Sequence, residues 1–309
     1  MNHVSDGFLH RTVFPNSSSE LLDDLVPFVR EGLAGGAAVY VNLGPDLLAA
    51  AQQALGKDGS RVGWSNTFEW QPHPARRLRA IGDLVRHELE GGAPYLRFLG
   101  EFPWTASRRE LDEWARFDAV LNEALRDVPL EMLCVYRSEI DDDIINYALR
   151  AHPYLGATSM AARDAYVPPE NLLQESLAVE LRVPEGAARL SLKAPLGIRG
   201  TLRSAPQLAS LEADQMADLL IAVTELVTNG FRAGAETVDV SWWPEPSAVA
   251  VQVDDDGVGL SDSLAGYRRP TPDAPAGRGL WMVRQLTDVL LVSSRGEGTS
   301  VRIEMGKRR

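Results

Sequence analysis

Cysteine is nearly missing from this chain of 309 residues, which has one, Cys134. A lone thiol excludes an internal disulfide framework and any zinc site built mainly from cysteines, and it suits a reducing compartment. Basic charge is short as well. Lys and Arg number 31 against 43 Asp and Glu, leaving a formal net charge of −12. Binding to a polyanion needs a cation at each phosphate, so the field of the whole molecule argues against direct nucleic-acid contact. Long apolar runs are lacking too. The candidates at 37–43 and 289–292 have the length of strands and fall far short of the roughly 20 residues of a membrane helix. The opening Met1-Asn2-His3-Val4-Ser5-Asp6-Gly7 has neither the basic start nor the apolar core of a secretory signal. The expectation is a cytoplasmic protein without membrane contact.

What is present is ordinary globular material: 45% hydrophobic and 24% charged residues, enough chain for two domains. The first half alternates between two periods. A short β-prone run at 11–14 precedes Ser17-Ser18-Ser19-Glu20, a helix-start signal for Leu21, Leu22, Leu25, Val26 and Val29 at helical spacing. Gly35-Gly36 ends that helix, 37–43 reads as a buried strand, and Gly44-Pro45-Asp46 opens a helix reaching 55. Helices over about 75–90 and 108–126 and strands over 95–99 and 131–136 follow. This alternation predicts a three-layer α/β domain, a parallel sheet covered on both faces, ending near 155. Its single Gly-Lys pair, Gly56-Lys57, is followed by Asp58 and lacks the glycine and Ser/Thr of a phosphate loop.

Around Tyr166-Val167-Pro168-Pro169-Glu170 the periodic signal lapses, which places a boundary at roughly 170–180 and divides the chain into 1–175 and 176–309. The second part has another rhythm. A helix-like stretch at 199–210 precedes a strong helix at 213–232; two β-type runs at 237–243 and 248–253 follow. An acidic glycine turn, a loop with Pro270, Pro272 and Pro275, a helix from about 279 and strands near 289–293 and 299–304 complete it. Helices followed by clustered antiparallel-type strands predict an α+β two-layer sandwich.

Four small patterns in this part carry chemistry. Glu225 and Asn229 are four apart on one helix face, away from the apolar stripe Leu219, Leu220, Val223, Leu226 and Val227. A carboxylate one turn before a carboxamide suits oxygen coordination of Mg²⁺, and equally suits a solvated surface. Asp255-Asp256-Gly257-Val258-Gly259 follows a strand; its glycines admit a planar ligand and its carboxylate can accept from an exocyclic amine, unless it is only a turn. Gly277-Arg278-Gly279-Leu280 opens a helix, where backbone N–H groups and the positive dipole end face an anion. Gly296-Glu297-Gly298-Thr299 lies between the last two strands, as a hairpin turn also would. Each is weak singly, and their order makes them jointly strong.

In that order the residues resemble the GHKL ATPase/kinase superfamily over roughly 180–305, with Glu225–Asn229 as the N box, Asp255–Gly259 as G1 and Gly277–Leu280 as G2. The run Ile221-Ala222-Val223-Thr224-Glu225-Leu226-Val227-Thr228-Asn229 is similar to the anti-sigma-factor serine kinases. The resemblance implies a Bergerat-type fold binding ATP and Mg²⁺. It assigns adenine to Asp255 with Gly257 and Gly259, metal to Asn229, phosphates to Gly277, Arg278, Gly279 and Leu280, and the catalytic carboxylate to Glu225. Arg232 and Thr299 complete the implied nucleotide site. The implied partners are a sigma factor and a STAS-type anti-anti-sigma protein carrying the target serine; a homodimer is implied by analogy. Ala233 stands where the family often has histidine, a departure that lowers the expected affinity or turnover.

The first half resembles the MEDS sensory domain, related to RecA/KaiC-like folds without their phosphate loop. The matching stretches are Val26-Pro27-Phe28-Val29-Arg30-Glu31-Gly32-Leu33, Leu99-Gly100-Glu101 with Trp104, Phe117 with Leu121-Asn122, Cys134-Val135-Tyr136 and His152-Pro153. Arg137 stands where the family commonly has Asp, which bears on what small molecule is bound. His10, Glu101, Tyr136 and His152 are candidate pocket residues, each also at home as a structural one, and Cys134 reads as buried packing. The expectation is an N-terminal sensor modulating an ATP-dependent serine kinase, with a catalytically silent ATP-gated binding module as the alternative. A histidine kinase fits less well: none of His3, His10, His73, His87 and His152 lies on the helical stretch just before Glu225.

Overall fold

The computed structural model describes residues 7–70, 73–102, 108–137, 140–158, 164–177, 180–268, 270, 277–294 and 297–306. The chain divides into two units between Leu172 and Leu173, inside the helix α6 (Pro169–Leu177, named here in chain order).

In the first unit β1 (Leu9–Val13), β2 (Ala38–Leu43), β3 (Val62–Asn66), β4 (Leu96–Glu101), β5 (Leu130–Val135) and β6 (Tyr154–Leu155) form a sheet of order β3-β2-β4-β5-β1-β6. Every pairing in it is parallel. Helices α1 (Ser18–Ala34) and α2 (Pro45–Leu55) bury Leu21, Leu25, Phe28, Leu47 and Leu55 against Val39, Val41, Leu99 and Val135. Helices α3 (Pro74–Glu90), α4 (Arg108–Ala124) and α5 (Asp142–Ala151) bury Ile81, Val85, Leu121 and Ile144 against Leu96, Phe98, Met132 and Cys134. Leu96 and Phe98 face one cluster and Leu99 the other, the period-two alternation that lets one sheet serve two cores. Ser17 caps α1 by accepting from the Glu20 N–H, as its spacing predicts.

Helix α6 replaces the extended connector that Pro168-Pro169 favoured, and in the first unit β3, α5 and β6 were also invisible to periodicity. Strand β3 has Gly63 at its centre, where a Cβ would lie 2.3 Å from the Tyr40 ring, so packing against β2 demands the residue that weakens the strand signal. Helix α5 is short and starts on Asp142 and Asp143, and β6 has two residues.

The second unit is a five-stranded antiparallel sheet of order β10-β11-β9-β8-β7, from β7 (Ala188–Leu192), β8 (Val238–Pro244), β9 (Ala248–Asp255), β10 (Val289–Ser294) and β11 (Thr299–Gly306). Helices α7 (Ile198–Arg203), α8 (Ala213–Arg232) and α9 (Arg278–Leu286) pack on it through Leu202, Leu219, Val223, Leu226, Val227 and Val283, against Val240, Val251, Val253, Val301 and Ile303. The helical stretch expected at 199–210 breaks in two, α7 and a single 3₁₀ turn at Pro206–Leu208. Ala205 before Pro206 is forced to an extended ψ of 119°. Strand β7 was not foreseen. Helix α8 begins in a capping box, Glu212 with Gln215, and ends where Gly234 turns left-handed at φ 85°. Trp242 and Trp243 are both buried.

Candidate functional site

Helix α8 offers two faces. One is the buried apolar stripe; beside it Glu225 and Asn229 are half-buried under the first turn of α9. Gly279 makes this approach close: a Cβ there would lie 3.0 Å from Glu225 Oε2 and 3.1 Å from Asn229 Nδ2. The carboxylate and carboxamide therefore do not lie on an open helix surface. They look onto a glycine backbone at a helix start, which Gly277 enters with a left-handed φ of 89°. A helix N-terminus there presents N–H groups and a partial positive charge.

Across the sheet end, Asp255 closes β9. Its Oδ1 accepts from the Gly257 N–H at 3.0 Å, and the Thr299 backbone bonds to the same carboxylate. Burial nonetheless raises its pKa; those two donors oppose the shift, and neighbouring Asp256 and Asp254 add to it. Asp256 points elsewhere, accepting from the Thr237 N–H at 3.1 Å and hydroxyl at 3.0 Å. Glycines again allow the approach. The Gly298 N–H donates to the Gly257 carbonyl at 2.7 Å, and a Cβ on Gly298 would stand 2.5 Å from the Asp255 carbonyl oxygen.

A cavity of about 450 Å³ joins these groups. Asn229, Asp255, Gly259, Gly277, Gly279, Leu280 and Thr299 all line it, so seven of the expected site residues share one space. Four do not line it. Glu225 sits beside Asn229 under Gly279, Gly257 is buried against Ala233, and Arg232 and Arg278 are exposed. Ala233, where the family often has histidine, also borders the cavity, and its carbonyl accepts from the Val258 N–H at 3.1 Å. The prolines Pro272 and Pro275, and Gly296, lie outside the described residues.

Sequence reasoning missed the apolar wall: Leu226, Val253, Leu260, Leu264, Val292 and Val301. Leu226, Val253, Val292 and Val301 read as core, and their strand and helix spacing gives no sign that one side of the core stays open. It also missed the turn at 260–268, where Gly266, at φ 79°, lets the backbone approach Leu280; a Cβ there would lie 2.7 Å from Leu280 Cγ.

In the first unit, three of the four candidate pocket residues meet. The His10 and His152 rings lie 4.0 Å apart and Tyr136 packs edge-on to His152 at 5.9 Å. Glu101 and Tyr136 both border a second cavity of about 30 Å³. The Glu101 carboxylate itself accepts from the Gly44 N–H at the start of α2 and pairs with Arg137 at 3.3 Å, which also reaches Asp46 at 2.8 Å. A side-chain carboxylate thus occupies the helix start that a phosphate loop would offer to a nucleotide, and the unusual cation at 137 is balanced within the chain. Trp104 lies outside the described residues.

Among the described residues no helix is long and apolar enough to cross a membrane. A comparison with curated proteins returned no match. Family models match both units: residues 9–153 fit MEDS, the MEthanogen/methylotroph, DcmR Sensory domain, and residues 189–305 fit the histidine kinase-like ATPase domain. The chain therefore carries a MEDS domain followed by a histidine kinase-like ATPase domain, the pairing of an ATP-dependent signalling regulator.

Proposed function

We propose that the second unit binds ATP with Mg²⁺, sequesters a sigma factor, and phosphorylates a serine of a STAS-type anti-anti-sigma protein, under the control of the MEDS unit. The observation that carries this reading is the shared cavity, lined by Asp255, by Asn229 beneath the Gly279 backbone, and by Gly277. The half-buried Asp255 carboxylate, steadied by the Gly257 N–H on Oδ1, is the acceptor an adenine amine would meet. The apolar wall of Leu226, Val253 and Leu264 suits a planar base. Gly279 supports the fit of phosphates, since any side chain there would fill the space against Glu225 and Asn229.

Glu225 and Asn229 offer oxygen donors, the kind that Mg²⁺ takes, and Asn229 is the residue that would hold it. The bound ion would neutralise charge on the phosphates. In the transfer, the partner's serine oxygen bonds to the γ-phosphorus, the bond to the β,γ-bridging oxygen breaks, and ADP leaves. Glu225 accepts the serine proton. Such a transfer needs positioning and charge stabilisation above all, which one carboxylate and a rigid backbone cradle can supply.

The test is calorimetry with ATP and ADP, with and without Mg²⁺, followed by incubation of γ-labelled ATP with a STAS-domain protein. Mg²⁺-dependent binding and label on serine support the reading. Binding without transfer leaves an ATP-gated binding module, and no binding overturns both.

A further inference from the structure

Four side chains of the first unit converge at one point: His10 on β1, Asp118 on α4, Cys134 on β5 and His152 just after α5. One donor atom from each lies within 4.8 Å of the others, and all four residues are buried. His10 Nε2 is 3.3 Å from Cys134 Sγ, Sγ is 3.9 Å from Asp118 Oδ1, and His152 Nε2 is 3.8 Å from Asp118 Oδ2. A tetrahedral zinc ion with bonds of about 2.0–2.3 Å sets its donors about 3.3–3.7 Å apart. Each of these three distances is within a few tenths of an ångström of that spacing, the two at Asp118 falling on different oxygens of its carboxylate.

The hydrogen bonds around the two imidazoles are the decisive observation. Asn122 donates its amide N–H to the Ala151 carbonyl at 2.7 Å, which turns its oxygen toward His10 Nδ1 at 3.1 Å. His10 must then carry its proton on Nδ1, leaving the Nε2 lone pair aimed at Cys134. His152 Nδ1 faces the Ala148 carbonyl at 2.8 Å, so it too is protonated there and turns its Nε2 lone pair toward Asp118. An outer hydrogen bond that fixes the tautomer and points the free nitrogen inward is the arrangement metal-ligating histidines use. Asp118 Oδ2, buried at the same point, has no hydrogen-bond partner. Two lone pairs, a carboxylate oxygen and a sulfur thus converge on one buried point.

We propose that His10, Asp118, Cys134 and His152 bind one divalent transition-metal ion of the zinc type. Two neutral imidazoles, a thiolate and a carboxylate around a divalent ion sum to zero charge, which a fully buried site tolerates. Arg77, held by the Thr67 and Trp70 carbonyls and stacked 4.4 Å over Trp114, is a nearby cation; without a metal, burial and the adjacent Asp118 push the Cys134 thiol up, and Arg77 only opposes that shift. The N₂SO donor set selects Zn²⁺ over the hard oxygen-preferring ions. The site is independent of the Mg²⁺ assignment in the other unit.

Cobalt is the probe, because the chain's single cysteine makes its spectrum unambiguous. The full untagged chain, stripped with a chelator, is titrated with Co²⁺ and then Zn²⁺. Expected are about one Co²⁺ per chain with intense tetrahedral d–d bands, a sulfur-to-cobalt charge-transfer band that only Cys134 can produce, and displacement by Zn²⁺. Cys134→Ser should abolish the charge-transfer band, and Asn122→Ala, which touches no metal, should weaken affinity about 10–100-fold by releasing His10. A natively folded chain that shows no charge-transfer band with Co²⁺ and takes up no Zn²⁺ overturns the proposal. Bands that survive Cys134→Ser unchanged also overturn it.

Discussion

Gly230 lies so close to Asp255 that a Cβ on it would stand 2.9 Å from the Asp255 Cβ and 3.0 Å from Val238 Cγ2. Helix α8 can therefore press its last turn onto the end of β9 only because this position has no side chain. Both neighbours are anchored in the sheet, so neither can yield. Gly230→Ala should cost about 1–3 kcal/mol of stability through overpacking. It should also weaken ATP binding by moving Asp255. Urea unfolding and calorimetry read the two effects separately, and Gly298→Ala, at φ 77° and 2.5 Å from the Asp255 carbonyl oxygen, should be the more damaging.

Glu225 and Asn229 should part company on substitution. Asn229→Ala is expected to abolish Mg²⁺-dependent ATP binding. Glu225→Ala should retain binding and lower transfer about 10²–10⁴-fold, the range of a general base. Normal transfer by Glu225→Ala would remove the base assignment while leaving the nucleotide site intact.

Asp255 should impose a pH dependence on nucleotide binding. An amine donates to its ionised form, and burial raises the pKa of the free site. Affinity should therefore fall as pH drops through that raised value, above the about 3.9 of an ordinary aspartate. Adenosine is the ligand of choice, since it brings no titrating phosphate, and Asp255→Asn should lose this limb. The stability contribution runs the other way. The folded chain holds this proton more tightly, so the contribution is full below the unfolded pKa and is lost as pH rises to the folded one.

In the first unit Glu131 pairs with Arg97 at 2.9 Å and with buried Arg11 at 3.4 Å. Glu131→Ala would remove this carboxylate from buried Arg11 and leave Arg97 with Glu31, 3.6 Å away. A loss of about 3–5 kcal/mol is expected, measured by chemical denaturation of the full chain.

Local chemistry made much of this legible. Ser17 at a helix start, Gly35-Gly36 at its end and the glycine-flanked strands each act within a few residues, where capping and backbone freedom decide. Gly279 and Leu280 were legible for the same reason, as a glycine opening at a helix start. The open wall of Leu226, Val253 and Val301 was not, because a residue facing a cavity and one facing its neighbours carry the same apolar pattern. Strand β3 hid behind Gly63, whose absent side chain makes room for a tyrosine ring 23 residues away in sequence.

From its own spacing the sequence determined an α/β rhythm followed by an α+β one, the Glu225–Asn229 helix face, and the lack of a phosphate loop. These depend on 2-residue and 3.6-residue periods and on short turns, all set by neighbours in the chain. Tertiary structure alone decided that Glu101 would cap α2, and that His10, Asp118, Cys134 and His152 would meet. Those four stand 108, 16 and 18 residues apart in order along the chain. Only the parallel pairing of β1 with β5, and the packing of α4 and α5 on that face, brings their donor atoms together.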